Sequence, residues 1–173
     1  MKFKILNKII TNKSKPYIIA EACINHEGNI KIAKKMIDQA VKAGVSAVKF
    51  QFHVLEDEML NRAPKSKNFS ESLYSTLKRT NLSIKEHKYL KLYCEKNNVD
   101  YLCTPFSFKS ADILEKDIKL KIFKVGSGEL TNLPLQIHIA KKKFPTIIST
   151  GMSTFKEVEK TVEIVSKINK NIA

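Results

Sequence analysis

Two lysines and one acid interrupt the apolar runs of this 173-residue sequence, namely Lys49, Lys124 and Glu21. An ammonium group buried among apolar residues is costly unless an anion neutralises it, so each lysine needs an acidic partner. That partner is either a carboxylate of the chain, with Glu21 and Glu129 as the candidates, or an anionic ligand. Two such lysines on separate runs, accompanied by hydroxyl groups, favour the ligand.

Hydroxyl, amide and glycine residues follow the same runs and add to this anion hypothesis. Ser127 lies between Gly126 and Gly128, and a loop of that composition lets backbone N–H groups approach a phosphate or carboxylate closely. Glu21 has two interpretations, a salt-bridge partner of a lysine or a general acid/base group with a tunable pKa. The remaining polar candidates at the ends of the runs are Gln51, Thr104, Glu129 and Ser149.

The histidines and cysteines do not indicate a metal centre or a thiol nucleophile. His26 is alone on a polar turn, and the other histidines, at positions 53, 87 and 138, are not grouped with carboxylates. The cysteines show no CxxC spacing, which argues against a zinc site and against a disulfide framework. We therefore predict no metal ligands in this sequence and interpret Cys23 and Cys103 as small core residues.

Apolar runs and amphipathic segments alternate five times along the chain. The run at 17–23 is followed by apolar residues at i, i+3 and i+4 spacing over 29–43, with Gly44 behind them, which predicts a strand and then a helix. Ser83 and Glu86 have the spacing of a capping box that opens another helix. The further predicted strands are 46–52, 100–104, 122–125 and 146–149, and the further helices are 70–80, 83–97, 110–115, 133–142 and 154–168.

This alternation predicts a parallel sheet covered by helices, in which ligands bind at the carboxyl ends of the strands. Two architectures satisfy it. An open doubly wound sheet would be complete at this length, whereas a (β/α)8 barrel needs about 250 residues. The pattern alone slightly favours the open sheet, although no GxGxxG motif follows the first run. The polar connection over 53–82 is long for a loop and is expected to help select the substrate.

The composition argues against several classes of protein. The net charge of +14 comes almost entirely from lysines spread over helix faces, and no nucleic-acid-binding motif accompanies them, so we expect no nucleic-acid partner. No run of about 18 apolar residues predicts a membrane span, and no signal peptide is visible. Because the cysteines are sparse as well, a cytoplasmic protein is expected.

Five blocks of the sequence together resemble the N-terminal barrel of N-acetylneuraminate synthases and their legionaminate and pseudaminate relatives. The resemblance extends over 17–165, with all blocks in the family's order. Its most specific part is FKVGSGELTN at 123–132 together with ISTGMS at 148–153. The other blocks are IAE at 19–21 with NHEG at 25–28, VKFQ at 48–51 and CTPF at 103–106.

The resemblance implies a (β/α)8 barrel in place of the open sheet, here incomplete with about five parallel βα units. It implies that C3 of phosphoenolpyruvate attacks the open-chain aldehyde of an N-acetylated hexose, such as N-acetylmannosamine or a 2,4-diacetamido-trideoxyhexose. Water then adds at C2, and phosphate leaves through C–O cleavage. A divalent cation, Mn²⁺ or Mg²⁺, is implied to polarise the aldehyde.

The family's residue roles carry over by position. Glu21 resembles the acid/base group that acts near C2 of phosphoenolpyruvate, and Lys49 and Lys124 resemble ligands of its phosphate and carboxylate. Hydroxyl contacts with the anion are implied for Thr104, Ser127 and Ser149, and a place in the pocket lining for Gln51 and for Glu129, which would face the sugar.

Family members have three more βα units, which hold the metal-binding histidines, and an antifreeze-like C-terminal domain, and they are usually homodimers. The resemblance therefore implies that 1–173 is a single partial barrel domain with an N-terminal arm at 1–16 and without the ligands of the cation. Such a chain would have open edges at its first and fifth strands and weak or no activity alone. Two alternatives stay open: a related barrel lyase or aldolase on phosphorylated sugars, with Lys49 or Lys124 as a Schiff-base amine, and a non-catalytic remnant or subunit.

Overall fold

The computed structural model describes residues 2–62, 65, 67 and 70–173, so positions 63–64, 66 and 68–69 of the 53–82 connection lie outside the described residues. The strands are β1 (Lys2–Ile5), β2 (Lys8–Thr11), β3 (Ile19–Cys23), β4 (Ala47–Phe52), β5 (Asp100–Pro105), β6 (Phe123–Val125) and β7 (Thr146–Ile148). The helices are α1 (Ile30–Lys42), α2 (Leu55–Glu58), α3 (Leu73–Thr80), α4 (Ile84–Lys96), α5 (Phe108–Lys116), α6 (Leu133–Lys141) and α7 (Phe155–Ile168), with a 3₁₀ helix at Ser127–Glu129.

The strand order identifies the fold as part of a (β/α)8 barrel. Parallel ladders join β3, β4 and β5 in that order and join β6 to β7, while β5 contacts β6. The strands therefore follow one another in chain order, whereas a doubly wound sheet reverses its order near the middle. The open sheet that the pattern slightly favoured is wrong, and the predicted five parallel βα units of an incomplete barrel are confirmed.

Alternation along β4 separates the two sides of the sheet. Val48, Phe50 and Phe52 are buried in the main apolar core, whereas Lys49 and Gln51 point to the opposite side of the strand. The helices supply the other half of that core, as with Ile37 of α1 and Leu90 of α4. The polar side chains of the strands thus share the inner side of the partial barrel.

Two predicted helix boundaries are confirmed in atomic detail. The Ser83 hydroxyl caps the backbone N–H of Glu86, and the Glu86 carboxylate accepts from the backbone N–H of Ser83 in return. Gly44 follows α1 with φ of +74°, a conformation in which a side chain would be strained. These caps fix where α4 and α1 begin and end, and hence where the neighbouring strands start.

Residues 2–11, within the segment 1–16 that was interpreted as an N-terminal arm, form an antiparallel β1–β2 hairpin. Ile5 is fully buried in the core, and Lys8 forms a 2.9 Å ion pair with Asp100, the first residue of β5. The side chain of Asn171 accepts from the backbone N–H of Lys4 and donates to its carbonyl, at 3.2 and 2.9 Å. The hairpin thus covers the amino ends of the strands, opposite the edge where ligands are expected.

The edge of β7 is paired, which differs from the open fifth-strand edge implied above. The backbone N–H of Thr146 donates to the carbonyl of Asn171, and that of Ile148 donates to Ala173. Ile172 lies parallel to Thr146. Residues 171–173 therefore add a sixth parallel neighbour to the sheet. None of the described helices has the length and apolar character needed to cross a bilayer.

Candidate functional site

Lys49 and Glu21 form an ion pair on the inner side of the partial barrel. The parallel register of β3 and β4 sets them opposite each other, with Nζ 2.5 Å from Oε2. The Lys49 side chain is only 6% exposed, whereas that of Glu21 is 47% exposed. Lys49 also donates to the sulfur of Cys23 at 3.2 Å. Of the two carboxylates that the sequence offered as partners of a lysine, the structure uses Glu21.

The neighbours of Lys49 keep its side chain charged. Burial alone would lower the pKa of Lys49, but the hydrogen bonds that Lys49 donates to Glu21 and to the Cys23 sulfur outweigh burial and hold the pKa above the usual lysine value. The pair is therefore an ammonium beside a carboxylate, with one carboxylate edge open towards the cleft.

Lys124 enters the same site from β6 without a carboxylate of its own. Its Nζ donates to the hydroxyl of Ser149, which follows β7, and to the backbone carbonyl of Val125 at 3.3 Å. Burial lowers the pKa of Lys124 first of all; Lys49 lowers it further, and Glu21 opposes both. The pKa of Lys124 therefore depends on both members of the Lys49–Glu21 pair.

The site therefore holds two lysines against one carboxylate. In the part of the chain that the structure describes, Lys124 has no acidic group within ion-pair distance, and Glu21 is already engaged by Lys49. One unit of positive charge remains unbalanced in a partly buried cleft when both lysines are protonated. Because an uncompensated buried charge is costly, this arrangement is suited to an anionic ligand.

Thr104 presents an unsatisfied hydroxyl on the same side of the sheet. It lies opposite Gln51 in the β4–β5 register, is 1% exposed, and its Oγ1 has no hydrogen-bond partner among the described residues. A buried hydroxyl without a partner is destabilising and calls for a ligand atom or an ordered water. Thr104 is therefore a second sign of an incomplete binding site.

A separate cavity of about 390 Å³ is lined by residues of the segments that follow β4, β5 and β6. Its lining includes Asp57, Glu58, Phe106, Ser107, Glu129 and Asn132. The Glu129 carboxylate accepts from the Asn132 side chain at 2.8 Å. Glu129 thus lines this acidic cavity and does not contact Lys49 or Lys124.

The structure corrects the prediction that histidines and carboxylates are not grouped. His53 Nδ1 lies 2.8 Å from Glu58 Oε2, and its Nε2 lies 3.2 Å from the amide oxygen of Gln51. His138 on α6 likewise lies 2.8 Å from Asp112 on α5. The first pair was missed because no helix was predicted at α2, although the LEDE segment behind a strand gives an acidic turn at that place.

The predicted site residues thus fall into groups. Glu21, Lys49, Lys124 and Ser149 are linked by direct contacts or shared electrostatics. Gln51, with Thr104 opposite it, lies two residues beyond Lys49 towards the carboxyl end of β4. Ser127 and Glu129 lie on the 3₁₀ helix that follows β6. Cys23, to which no role was given, contacts both Lys49 and Glu21.

The described residues offer no group of three or more histidine, cysteine or acidic side chains placed to hold a metal ion. His53, which follows β4, is already engaged by Glu58 and Gln51. The residues described here therefore do not fit a divalent cation on their own.

Comparison with known proteins gives a consistent result. The model of the NeuB family matches residues 36–173. An N,N'-diacetyllegionaminic acid synthase from Campylobacter jejuni is 38% identical, and the match covers 88% of this chain and 47% of that protein. An N-acetylneuraminate-9-phosphate synthase from Drosophila melanogaster is 34% identical, and the match covers 96% of this chain and 46% of that protein. The solved N-acetylneuraminic acid synthetase of Leptospira borgpetersenii superposes with a TM-score of 0.83 at 28% identity, over 99% of this chain and 57% of that one. The chain spans about half the length of the curated relatives that it matches.

Proposed function

This chain belongs to the NeuB family of sialic acid synthases, and from that membership we propose that it forms the phosphoenolpyruvate-binding part of a nonulosonate synthase. The reaction joins phosphoenolpyruvate to the aldehyde of an N-acetylated hexose and releases phosphate. The excess of two lysines over one carboxylate on the inner side of the barrel is the observation that carries the proposal. Phosphoenolpyruvate brings a phosphate and a carboxylate, and these anionic groups are attracted by the unbalanced positive charge.

In this proposal Lys49 and Lys124 bind the two anionic groups of phosphoenolpyruvate from neighbouring sides of the cleft. Ser149 already accepts from Lys124 and would turn its own hydroxyl hydrogen to the ligand. The orphaned Thr104 hydroxyl and Ser127, next to Gly126 and Gly128, complete the donors. The charge-assisted bonds supply most of the affinity, and the hydroxyls set the orientation.

Glu21 is proposed to be the acid/base group that acts near C2 of phosphoenolpyruvate, the carbon to which water adds. Its carboxylate is half exposed to the cleft and is held by Lys49 at 2.5 Å, so it reaches a ligand without leaving its ion pair. A positioned carboxylate of this kind contributes about 10²–10⁴-fold to a rate through acid/base catalysis. The sugar would enter from the side of Glu129, which lines the cavity of about 390 Å³.

A divalent cation, Mn²⁺ or Mg²⁺, and a homodimeric assembly are also part of the proposal by family membership. The described residues do not provide the cation's ligands, so these would come from outside them. The unit 1–173 is proposed to be one partial barrel domain in the cytoplasm, acting on phosphoenolpyruvate and an amino sugar without nucleic-acid or membrane partners.

Phosphate release from phosphoenolpyruvate tests the function. The 173-residue chain is assayed with Mn²⁺ and N-acetylmannosamine or a 2,4-diacetamido-trideoxyhexose, alone and mixed with the separately expressed C-terminal half of the Campylobacter jejuni relative. Sugar-dependent phosphate release in either sample supports the proposal. If neither sample releases phosphate and the chain alone binds no phosphoenolpyruvate, the proposal is wrong.

The lowered pKa of Lys124 favours one alternative, a barrel lyase or aldolase that forms a Schiff base. An amine that loses its proton more easily is the better nucleophile towards a carbonyl. Borohydride reduction with pyruvate or a phosphorylated aldehyde, followed by peptide mass analysis, would trap Lys124 in that case. The synthase mechanism forms no imine, so an unmodified Lys124 is expected.

A further inference from the structure

The ladder that sets Glu21 opposite Lys49 ends just behind this pair. The β3–β4 register shifts between Glu21 and Cys23, and the last paired residues are Cys23 and Phe50, although β4 continues to Phe52. Cys23 has a φ of +52°, which is uncommon for residues other than glycine. A bulge of this kind bends a strand and changes the direction of its side chains. The positions of Glu21 and Cys23 therefore depend on what holds the turn that follows β3.

That turn packs against the C-terminal end of α3. Gly28 has a φ of +75°, and a methyl group in its place would lie 2.5 Å from the backbone carbonyl oxygen of Arg79 and 3.5 Å from Cα of Thr80. The Arg79 guanidinium also donates to the carboxylate of Glu27 at 2.5 Å. Because glycine lacks a Cβ, the backbones of the turn and of α3 can approach each other this closely at Gly28.

The same end of α3 is joined to the segment that follows β4. The side chain of Asn81, the C-cap residue of α3, donates to the backbone carbonyl of His53 at 2.8 Å. The backbone N–H of His53 donates in return to the Asn81 amide oxygen, over a longer 3.5 Å. His53 comes directly after β4. Residues 79–81 thus connect the carboxyl ends of β3 and β4 beyond the point where their ladder stops.

We propose that residues 79–81, the positioning segment, hold the turn after β3 so that Glu21 and Cys23 face Lys49 correctly, and that Gly28 makes this docking possible. The Cys23 sulfur accepts from Lys49 at 3.2 Å and lies 3.5 Å from Glu21 Oε2, so a displaced turn would move Cys23 directly and change the angle at which Glu21 faces Lys49. The inference rests on the proposed function for the identity of the ligand. A small misplacement of a reacting group can cost about 10²-fold in rate, so such a segment matters for turnover.

Two glycines separate close approach from backbone strain. Gly44, behind α1, has a φ of +74°, but a methyl group there would meet nothing within 4 Å. Gly28→Ala and Gly44→Ala therefore impose a similar conformational cost, whereas only Gly28→Ala forces the turn and α3 apart.

Two asparagines provide a second comparison that introduces no clash. Asn81→Ala removes the hydrogen bond to His53. Asn97, the C-cap residue of α4, also donates to a backbone carbonyl at 2.8 Å, but its acceptor is Tyr93 in its own helix. Asn97→Ala therefore removes an equivalent bond without touching the positioning segment.

The rate of thiol labelling at Cys23 measures the position of the turn in the 173-residue chain. Cys23 is partly exposed, whereas Cys94 and Cys103 are buried and react only when the domain opens. After reaction with iodoacetamide, peptide mass analysis gives the rate at each cysteine. Cys23 should react about tenfold faster in Gly28→Ala and Asn81→Ala, as expected when a contact that resists local opening is lost, with Cys94 and Cys103 unchanged. Gly44→Ala and Asn97→Ala should match the parent chain.

Two results would overturn the inference. One is a Cys23 rate that is the same in the parent chain, Gly28→Ala and Asn81→Ala. The other is an equal acceleration in the control variants. If all three cysteines react quickly in Gly28→Ala, that variant has unfolded, and Asn81→Ala then decides.

Phosphoenolpyruvate distinguishes this inference from the proposed function. In the parent chain the ligand should slow the labelling of Cys23, and calorimetric titration should show about tenfold weaker binding in Gly28→Ala than in Gly44→Ala. If the ligand neither binds to the parent chain nor protects Cys23, the proposed function fails. The Cys23 rates without ligand still decide the role of the positioning segment.

Discussion

The Lys49 ammonium is almost entirely buried and is neutralised by Glu21, a carboxylate that remains half exposed, at 2.5 Å across the β3–β4 ladder. This unequal burial means that the lysine depends on the pair more than the glutamate does. It also leaves the carboxylate as the member that a ligand meets, and it makes the two residues separable by mutation.

Glu21→Gln should separate binding from turnover. The amide keeps the shape and a hydrogen bond to Lys49 but removes the negative charge that competes with an anion, so affinity for phosphoenolpyruvate should stay within about threefold or increase. Sugar-dependent phosphate release should fall by about 10²-fold or more, because the acid/base group is lost. Calorimetric titration and the phosphate assay measure the two quantities. Loss of binding together with turnover would contradict the proposed role.

Lys124→Met should weaken phosphoenolpyruvate binding by about 10- to 100-fold, because a charge-assisted hydrogen bond contributes roughly 1.5–3 kcal/mol. Lys88→Met is the matched control, since Lys88 lies exposed on α4 and carries the same charge. Equal losses of affinity in the two variants would mean that overall charge, and not a specific site, attracts the ligand.

The affinity for phosphoenolpyruvate should also depend on pH through Lys124. Burial and Lys49 lower the pKa of Lys124 below the ordinary lysine value of 10.5, so the ammonium loses its proton sooner as the pH rises. Binding should therefore weaken with rising pH at values where free lysine is still charged, and Lys124→Met should remove that part of the dependence. A parent affinity that is constant up to pH 10 would contradict the prediction.

His87 should make the protein sensitive to acid. Burial, with smaller contributions from His26 and His53, lowers the pKa of His87 from 6.5 to about 3. The unfolded chain therefore binds the proton first as the pH falls, and the free energy of unfolding should decrease between pH 6.5 and 3, by up to roughly 5 kcal/mol. Urea unfolding at a series of pH values measures this slope.

The double variant His87→Phe with Tyr101→Phe provides the comparison. The Tyr101 hydroxyl lies 2.5 Å from His87 Nδ1, so replacing His87 alone would leave this buried hydroxyl without its partner. Replacing both residues avoids that cost. The loss of stability between pH 7 and 5 should be smaller than in the parent chain. An unchanged slope would assign the acid sensitivity to other groups.

The N-terminal hairpin should contribute to the stability of the whole domain. Ile5→Ala removes a fully buried side chain and should reduce the free energy of unfolding by about 2–4 kcal/mol. Ile9→Ala, in the same hairpin but at a side chain 49% exposed, should change it by less than about 1 kcal/mol. Equal effects in urea unfolding would indicate that the burial of Ile5 does not contribute to the stability of the domain.

Local signals in the sequence were sufficient for the βα units and for the ends of several helices. The capping residues Ser83 and Glu86 and the residue Gly44 act through their immediate neighbours, so their spacing is informative without knowledge of the fold. The lysines inside apolar strands were equally visible, because a charge in such a run always needs a partner.

Other features depend on contacts between distant segments, and the sequence could not provide them. Whether Lys49 pairs with Glu21 or Glu129 depends on strand register, and the contact of Lys124 with Ser149 requires β6 and β7 to be neighbours. The hairpin was not predicted because its strands have four residues each and bury only Phe3 and Ile5 beneath a basic surface. The alternation pattern favoured an open sheet because local periodicity carries no information on strand order.

The pair of hydrogen bonds between Asn171 and Lys4 joins positions 167 residues apart. During synthesis the first strands leave the ribosome long before Asn171 exists, so the hairpin can form early but cannot reach its final anchorage. Closing a chain segment of that length is slow, and contacts of such high sequence separation tend to form late in folding. Nascent chains halted before α7 should therefore expose the hairpin to proteases, and release of the remaining residues should protect it.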